Sequence, residues 1–268
     1  MNRRDFLTAS AATGLALVAA PASSAAADPA ADRQLFELRH YTFASLDKLK
    51  AFEAFLKDAM IPALGRAGVG PVGAFKLLQA DNAKAFKEDP AELYVLLPFK
   101  SMEAMLTLET KLAADDAYQA AGKAILTAAK ADPAFARYEG QLMLAFDGAP
   151  VVQAPAKGDE RLFQLRIYES HSQERALKKI EMFTKGGEIA IFRKVGLNWV
   201  FFGQSLAGTK LPNLTYMCAF DDKAAMDKAW AGFRADPDWQ KLSKDESYKD
   251  TVSTITNLVL RPAAGSQI

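Results

Sequence analysis

Cysteine and histidine are almost absent from this sequence of 268 residues, which contains one cysteine, Cys218, and two histidines, His40 and His171. An intramolecular disulfide is therefore excluded, and the clusters of Cys and His that bind structural zinc cannot form. Cys218 lies in the apolar run 216–220, so we interpret it as a small buried hydrophobic side chain rather than a reactive thiol.

The sequence also lacks an excess of charge of either sign, with 33 Lys and Arg against 32 Asp and Glu. Such a balance provides no electrostatic attraction to nucleic acid or to an anionic membrane surface, so neither is an expected partner. Phosphate-binding loops, dinucleotide fingerprints, nucleophile elbows and paired-carboxylate signatures are missing as well. The sequence predicts no metal and no cofactor, and no catalytic residue can be assigned from it.

The first 27 residues have the pattern of a bacterial export signal. Residues 3–7 read R-R-D-F-L, a short apolar run over 9–20 follows, and small side chains at 24–27 suit a signal peptidase. The apolar run is shorter than the roughly 20 strongly apolar residues that span a bilayer. We therefore predict a twin-arginine signal peptide over 1–27, its removal, and a periplasmic or other extracytoplasmic location without membrane attachment.

The rest of the chain repeats one pattern twice. Residues 35–41 read L-F-E-L-R-H-Y, and residues 162–168 read L-F-Q-L-R-I-Y. In each copy a helical periodicity follows and ends at a glycine, Gly68 or Gly196, after which two strand-like runs, a second helix and a last strand come in the same order. The predicted order is therefore βαββαβ in both copies.

This order predicts an α+β fold made of two ferredoxin-like units. The first unit covers residues 34–147, the second covers 161–262, and the Pro- and Gly-containing stretch 148–160 is predicted to be a linker. A four-stranded sheet with both helices on one face leaves its other face uncovered. We therefore expect the two repeats to pair sheet to sheet within the chain.

Two short motifs resemble those of the NIPSNAP family. Residues 37–41, E-L-R-H-Y, are similar to the E-L-R-x-Y opening of the NIPSNAP domain, and residues 236–239, D-P-D-W, resemble its D-P-x-W element. The second copy has Gln164 in place of the glutamate, and the first copy lacks the proline and the tryptophan. The resemblance covers nearly all of residues 34–262. It implies the dimeric α/β barrel fold, formed here within one chain, and a poorly defined biochemical role.

Strand alternation divides the first strand of each copy into two faces. The apolar face is expected under the helices and carries Phe36, Leu38 and His40 in one copy and Phe163, Leu165 and Ile167 in the other. The mixed face is expected to point into the space between the sheets and carries Glu37, Arg39 and Tyr41 in one copy and Gln164, Arg166 and Tyr168 in the other.

On this interpretation Arg39 and Arg166 are cations inside the barrel that approach each other across its pseudo-twofold axis. Each needs either an ion-pair partner or an anionic or carbonyl ligand. Because Glu37 accompanies Arg39 while only Gln164 accompanies Arg166, positive charge is expected to be less compensated near Arg166.

Further aromatic residues complete the candidate ligand-binding set. The four tyrosines are interpreted as repeat-related pairs that either pack in the core or contact a ligand: Tyr41 with Tyr168, and Tyr94 with Tyr216. Trp199 opens a predicted strand near a cavity mouth. Trp239 follows Asp236 and Pro237, which suit a helix N-cap and its first position. Both tryptophans have a structural and a pocket-lining interpretation.

The two histidines do not occupy equivalent positions in the repeats. His40 matches Ile167, so we interpret it as a structural residue, and His171 lies in a predicted loop and is expected to be solvated. Although a histidine can bind haem, no surrounding pattern supports a haem site here.

Three functions remain open from the sequence. The first is an exported binding protein for a small, largely apolar or aromatic ligand, held in the α/β barrel fold between a sheet and its helices. The second is a cofactor-independent enzyme resembling a monooxygenase, which requires several polar groups converging in a dry pocket. The third is a structural or interaction module.

Replacing Arg3 and Arg4 together with lysine is expected to stop export, because the twin-arginine route reads that pair. The precursor should then accumulate in the cytoplasm, as measured by fractionation of the bacterial cells and immunoblotting. Normal export of the double variant would show that the assignment of the signal is wrong.

Overall fold

The computed structural model of the protein describes residues 33–268, so the predicted export signal lies outside it. Eight strands occur in this part of the chain: β1 (Leu35–Thr42), β2 (Gly73–Leu77), β3 (Glu92–Phe99), β4 (Arg137–Ala145), β5 (Leu162–Glu169), β6 (Asn198–Ala207), β7 (Asn213–Phe220) and β8 (Thr254–Pro262).

The helices of the same residues lie between these strands: α1 (Leu46–Phe55), α2 (Ile61–Arg66), α3 (Met102–Leu106), α4 (Leu108–Ala113), α5 (Asp116–Leu126), α6 (Gln173–Phe183), α7 (Glu188–Val195), α8 (Lys223–Ala235) and α9 (Pro237–Leu242). None of these helices is long and apolar enough to cross a bilayer.

The strands form one closed antiparallel barrel in the order β1-β3-β2-β8-β5-β7-β6-β4. Each unit contributes four consecutive strands, and the units join at two seams, where β2 pairs with β8 and β4 pairs with β6. The predicted α+β fold of two ferredoxin-like βαββαβ units in an intrachain dimeric α/β barrel is confirmed. Because the sheets also share hydrogen bonds along their edges, neither unit keeps an unpaired edge strand.

Glycines end the first helical segment of each unit where the sequence predicts it. Gly68 and Gly196 have φ angles of +82° and +81°, in the left-handed region that glycine adopts without steric cost. In the second unit Gly187, with φ of +89°, separates α6 from α7. In the first unit a π-helical turn over Leu56–Met60 instead connects α1 to α2.

An acidic N-cap links two helices in both units. Asp236 accepts hydrogen bonds from the backbone of Asp238 and Trp239 at the start of α9, and its carboxylate lies 2.7 Å from Lys194 Nζ at the end of α7. The predicted capping role of Asp236 is therefore confirmed. Asp115 at the start of α5 is bound by Arg66 at the end of α2 in the same way, at 2.8 Å. These cations hold the pKa of both carboxyl groups below the ordinary value.

The barrel interior is filled by apolar side chains from both units. It contains, among others, Phe36, Leu38, Phe75, Leu96, Phe163, Leu165, Val200, Phe201, Met217 and Leu260. One further cluster of apolar side chains lies between the sheet and the helices of each unit. The cluster of the first unit includes Tyr41, and that of the second includes Tyr168.

The predicted orientation of the first strands was therefore wrong in both units. Phe36, Leu38, Phe163 and Leu165 point into the barrel, whereas the alternate positions face the helices. An eight-stranded barrel is narrow enough for side chains to fill most of it, and an unpartnered charge among them is costly. Two polar residues that do face inward, His40 and Gln141, line a cavity of about 230 Å³ and have hydrogen-bond partners. The more apolar face of each strand therefore belongs inside, and the mixed face lies under helices whose margins reach water.

The expected approach of Arg39 and Arg166 across the pseudo-twofold axis was wrong for the same reason. Arg39 lines a cavity of the first unit, and Arg166 lines cavities of the second unit. The barrel wall and its apolar filling lie between these two cavities, so no shared site exists between the two arginines.

The predicted pairing of Tyr94 with Tyr216 was also wrong. Tyr94 lies opposite His40 on the neighbouring strand, whereas Tyr216 lies opposite Arg166. The two tyrosines are therefore one residue out of register and point to opposite faces, Tyr94 into the barrel and Tyr216 toward the helices.

A fragment of residues 34–147 is expected to self-associate. It exposes the apolar face that lines the barrel and the free edges of β2 and β4, which pair with the second unit in the whole chain. Sedimentation velocity should show dimers or larger species, with residues 34–268 at the same concentration as the reference. A folded, monodisperse monomer of the fragment would contradict the packing described here.

Candidate functional site

Two adjacent cavities of the second unit share a wall that contains Arg166, Trp230 and Arg234. One has a volume of about 380 Å³, and its remaining wall is largely apolar, with Phe192, Phe233, Trp239, Val252 and Ile255. The other, of about 370 Å³, is more polar and is lined in addition by Gln164, Met226, Asp227 and Asn257. An apolar chamber beside a few polar groups is the usual composition of a small-molecule site.

Arg166 is the less exposed of the two arginines in the shared wall. Its Cζ lies 4.8 Å from the ring centre of Trp230 and 5.3 Å from that of Tyr168. Its Nε is buried without a hydrogen-bond partner among residues 33–268, and no carboxylate of these residues lies within 4.0 Å of the guanidinium. Contacts with aromatic faces offset part of the cost of burying the cation. The hydroxyl group of Tyr168 also interacts with the guanidinium. Arg166 lines both cavities, where its remaining N–H groups can meet a ligand.

Lys179 and Glu188 form a buried ion pair in the wall of the apolar cavity. Lys179 Nζ lies 2.7 Å from Glu188 Oε2, and the two side chains are 6% and 3% exposed. Burial raises the pKa of Glu188 although Lys179 lies beside it. Because these two charges neutralise each other, the half-buried guanidinium of Arg166 has no carboxylate at ion-pair distance among residues 33–268.

A chain of hydrogen bonds runs beside Arg166 from helix α8 to strand β8. Trp230 Nε1 donates to Gln164 Oε1, and Gln164 Nε2 donates to Asn257 Oδ1 at 2.8 Å. Asn257 lies directly opposite Arg166 in the pairing of β5 with β8. Their side chains therefore leave the sheet on the same face.

Arg39 occupies the matching strand position in the first unit, and its charge is neutralised. Its Nε and Nη2 donate to the two carboxylate oxygens of Glu37 at 2.8 and 3.0 Å. Glu109 Oε1 lies 3.7 Å from the same Nη2. The neighbouring cavity has a volume of about 420 Å³ and an aromatic wall: Tyr41, Phe52, Phe55, Tyr118, Phe135 and Tyr138. The expected difference in charge compensation between Arg39 and Arg166 is confirmed.

The remaining candidate residues separate into three places. Tyr168 and Trp239 lie with Arg166 in the wall of the apolar cavity, and Tyr41 lies with Arg39. Tyr216 is buried behind this wall and shares a hydrogen bond of 3.1 Å with Tyr168 through their hydroxyl groups.

Tyr94 and Trp199 lie away from the Arg166 cavities. The ring of Tyr94 stacks on that of His40 at 4.3 Å. His40 Nε2 bonds to Glu92 at 2.8 Å, which supports the structural interpretation of His40. Trp199 is buried under the guanidinium of Arg193, 5.0 Å from its ring.

Sequence reasoning missed several site residues, among them Lys179, Glu188, Trp230 and Asn257. Lys179 and Glu188 lie in different helices on either side of the glycine break, and no motif links them. Trp230 does have a signal in the repeat, because it lies ten residues after Phe220, as Glu109 does after Phe99. Comparing these two positions would have singled it out.

The described residues provide neither a metal site nor a reactive thiol. Within 33–268 no three His, Cys, Asp or Glu residues come close enough to hold a metal ion. Cys218 is fully buried, and burial raises the pKa of its thiol well above the ordinary range, as expected for a packing residue. His171 is exposed.

Comparison with known proteins finds a family match in the second unit. The NIPSNAP family model matches residues 163–267, which comprise nearly all of the second unit and the chain beyond it. The second unit is therefore similar to a NIPSNAP domain, and the closed barrel of two units is the dimeric α/β barrel fold. No curated protein matches the chain in sequence.

Two solved structures with the same fold span almost the whole chain, and a third is similar to part of it. A candidate monooxygenase from Fusobacterium nucleatum subsp. nucleatum ATCC 25586 is 10% identical, covers 86% of this chain and 93% of its own, and has a TM-score of 0.58. A candidate monooxygenase from Lactobacillus acidophilus NCFM is 12% identical, with coverages of 88% and 98% and a TM-score of 0.56. A NIPSNAP-like domain protein from Burkholderia xenovorans is 21% identical, with coverages of 41% and 92% and a TM-score of 0.38.

Replacing Lys179 with methionine is expected to destabilise the protein by about 3–5 kcal/mol, because Glu188 is then left buried without its partner. The double replacement Lys179→Met with Glu188→Leu should recover most of this loss, since it removes both charges from the apolar wall. Urea denaturation of the three proteins measures the difference. Equal destabilisation by the single and double replacements would show that the pair is held by packing rather than by charge.

Proposed function

We propose that this protein is exported and binds a small, largely apolar or aromatic molecule in the second unit, through an anionic or carbonyl group placed at Arg166. The observation that carries the proposal is the guanidinium of Arg166, which has a buried Nε without a partner and no carboxylate at ion-pair distance among residues 33–268. A buried cation is costly unless it is paired. A ligand oxygen is the partner that this arrangement lacks.

The surroundings of Arg166 support a ligand with an apolar body. Phe192, Phe233 and Trp239 line the larger part of the adjoining cavity, and Phe233 and Trp239 contact each other with ring centres 4.3 Å apart. Aromatic walls provide contact area with little loss of side-chain entropy. The neutral Lys179–Glu188 pair adds no net charge, so one oxygen-bearing group on the ligand is sufficient.

The convergence of Arg166, Asn257 and Trp230 on one cavity favours a second candidate function, that of a cofactor-independent enzyme resembling a monooxygenase. Two solved structures with this fold are described as candidate monooxygenases. The two functions differ in one measurement. Oxygen uptake above the rate of autoxidation, with a phenolic compound that binds at Arg166, would favour the enzyme, and binding without uptake favours the binding protein.

Replacing Arg166 with methionine is expected to weaken the binding of 2-naphthalenesulfonate and of 2-acetylnaphthalene by about 10- to 100-fold. Hydrogen bonds to a charged group contribute about 1.5–3 kcal/mol, and 1.4 kcal/mol corresponds to a factor of ten. Isothermal titration calorimetry measures the affinity, and thermal denaturation should show little change in stability, since no described carboxylate loses its partner.

Two replacements serve as controls for this experiment. Arg193→Met removes another guanidinium stacked on an aromatic ring of the same unit and should leave the affinity unchanged. Arg39→Met should be strongly destabilising, because it leaves the carboxylate of Glu37 buried without its partner. Unchanged affinity of Arg166→Met together with a large loss of stability would assign Arg166 a structural role.

A further inference from the structure

The duplication provides an internal reference for the Arg166 site, because three positions around each arginine correspond between the units. The first precedes the arginine by two residues on the same strand, the second lies opposite it on the neighbouring strand, and the third lies ten residues after Phe99 or Phe220. At all three positions the two units carry side chains of different chemistry.

In the first unit these positions are Glu37, Gly140 and Glu109, and together they neutralise Arg39. Glu37 binds the guanidinium through both oxygens, and Glu109 lies 3.7 Å away. A Cβ atom at Gly140 would lie only 3.3 Å from Glu37 Oε1. The glycine therefore leaves the space that the carboxylate occupies, and no side chain at this position can contact a ligand.

In the second unit the same positions are Gln164, Asn257 and Trp230, none of which carries a charge. Trp230 places its ring over the guanidinium at 4.8 Å, where Glu109 places a carboxylate in the first unit. Gln164 turns its amide away from Arg166 toward Trp230 and Asn257. Because of these three differences, none of the corresponding side chains in the second unit compensates the positive charge of Arg166.

The hydrogen bonds fix which atom of Asn257 remains free. An indole nitrogen can only donate, so Gln164 must present its oxygen to Trp230 and its NH₂ group to Asn257. Asn257 must therefore accept with its oxygen. Its own NH₂ group is left as a donor on the same sheet face as the guanidinium of Arg166.

We propose that the second unit binds the carboxylate of a small apolar acid, with the guanidinium of Arg166 and the Nδ2 of Asn257 as donors. Gln164 determines this specificity, because a glutamate at its position would occupy Arg166 as Glu37 occupies Arg39. The proposal rests on the function proposed above and narrows its ligand. The acid's aromatic or branched body lies against Phe192 and Phe233 in the adjoining cavity.

Charge and shape both favour a carboxylate over other oxygen-bearing groups. A guanidinium presents paired N–H groups in one plane, which match the two oxygens of a carboxylate. One negative charge balances the half-buried guanidinium of Arg166, which has no carboxylate at ion-pair distance among residues 33–268. The polar cavity is also lined by an acidic residue, Asp227, which is bound by Lys223 on the exposed side of helix α8. It therefore does not compete for Arg166.

The test is calorimetric titration of the purified protein with 2-naphthoate, 2-naphthalenesulfonate and 2-acetylnaphthalene, which share one apolar body and differ in the oxygen-bearing group. Of the three compounds, 2-naphthoate is expected to bind most tightly. Gln164→Glu should weaken 2-naphthoate binding at least tenfold while the melting temperature stays unchanged or rises, because Arg166 gains an ion-pair partner. Gln173→Glu, an exposed glutamine of the same unit, makes the same change of charge and should leave binding unchanged.

Asn257→Ala provides a second variant at an exposed position, where folding is not in question. It should weaken 2-naphthoate by about 3- to 10-fold, as expected for one hydrogen bond, and leave 2-acetylnaphthalene nearly unaffected. Unchanged 2-naphthoate affinity in Gln164→Glu would overturn the inference. If the sulfonate or the ketone binds more tightly than 2-naphthoate and still depends on Arg166, the carboxylate assignment fails while the proposed function stands. If none of the three binds, both fail.

Discussion

Closure of the eight-stranded barrel is the constraint on which the rest of this structure depends. Eight strands enclose a space that their own side chains fill, and that space is shared by both units. A charge placed among these apolar side chains would lack both water and a partner. Arg39 and Arg166 are therefore directed to the opposite sheet face, into the layer between sheet and helices. His40 is the polar side chain of β1 that faces inward, and it pairs with Glu92.

Duplication then allowed the two layers to differ without loss of the barrel. The interior uses mainly apolar positions of both units, and the residue pairs that close the barrel at the two seams do not include the residues around Arg39 and Arg166. In the first unit carboxylates satisfy the arginine, and the cavity beside it has an aromatic wall. In the second unit an indole and two amides replace the carboxylates, so that within residues 33–268 this unit offers a half-buried arginine without an ion-pair partner to a ligand.

The fold was predicted correctly from the sequence because both copies show the same order of strands and helices. Comparison of single strands was too short a signal, and it led to wrong predictions. Order and spacing of the two copies determine βαββαβ units, but alternation on one strand cannot tell which face lies inside a barrel. The pattern F-x-L places Phe36 and Leu38 on one face and is compatible with either orientation. Matching Tyr94 to Tyr216 by residue type caused a slip of one residue, which the shared position of Phe99 and Phe220 corrects.

The candidate site was only partly predictable for a related reason. Arg166, Tyr168 and Trp239 come from repeated or recognisable motifs, so the sequence could nominate them. Lys179 and Glu188 meet because Gly187 redirects the chain between two helices, and a contact of that kind leaves no local pattern. Their mutual neutralisation leaves Arg166 and the exposed Arg234 as the charges of the shared cavity wall that a ligand meets. Arg166 is the half-buried one of the two, and it lies against aromatic faces with no carboxylate at ion-pair distance among residues 33–268, so it sets the chemistry of the site.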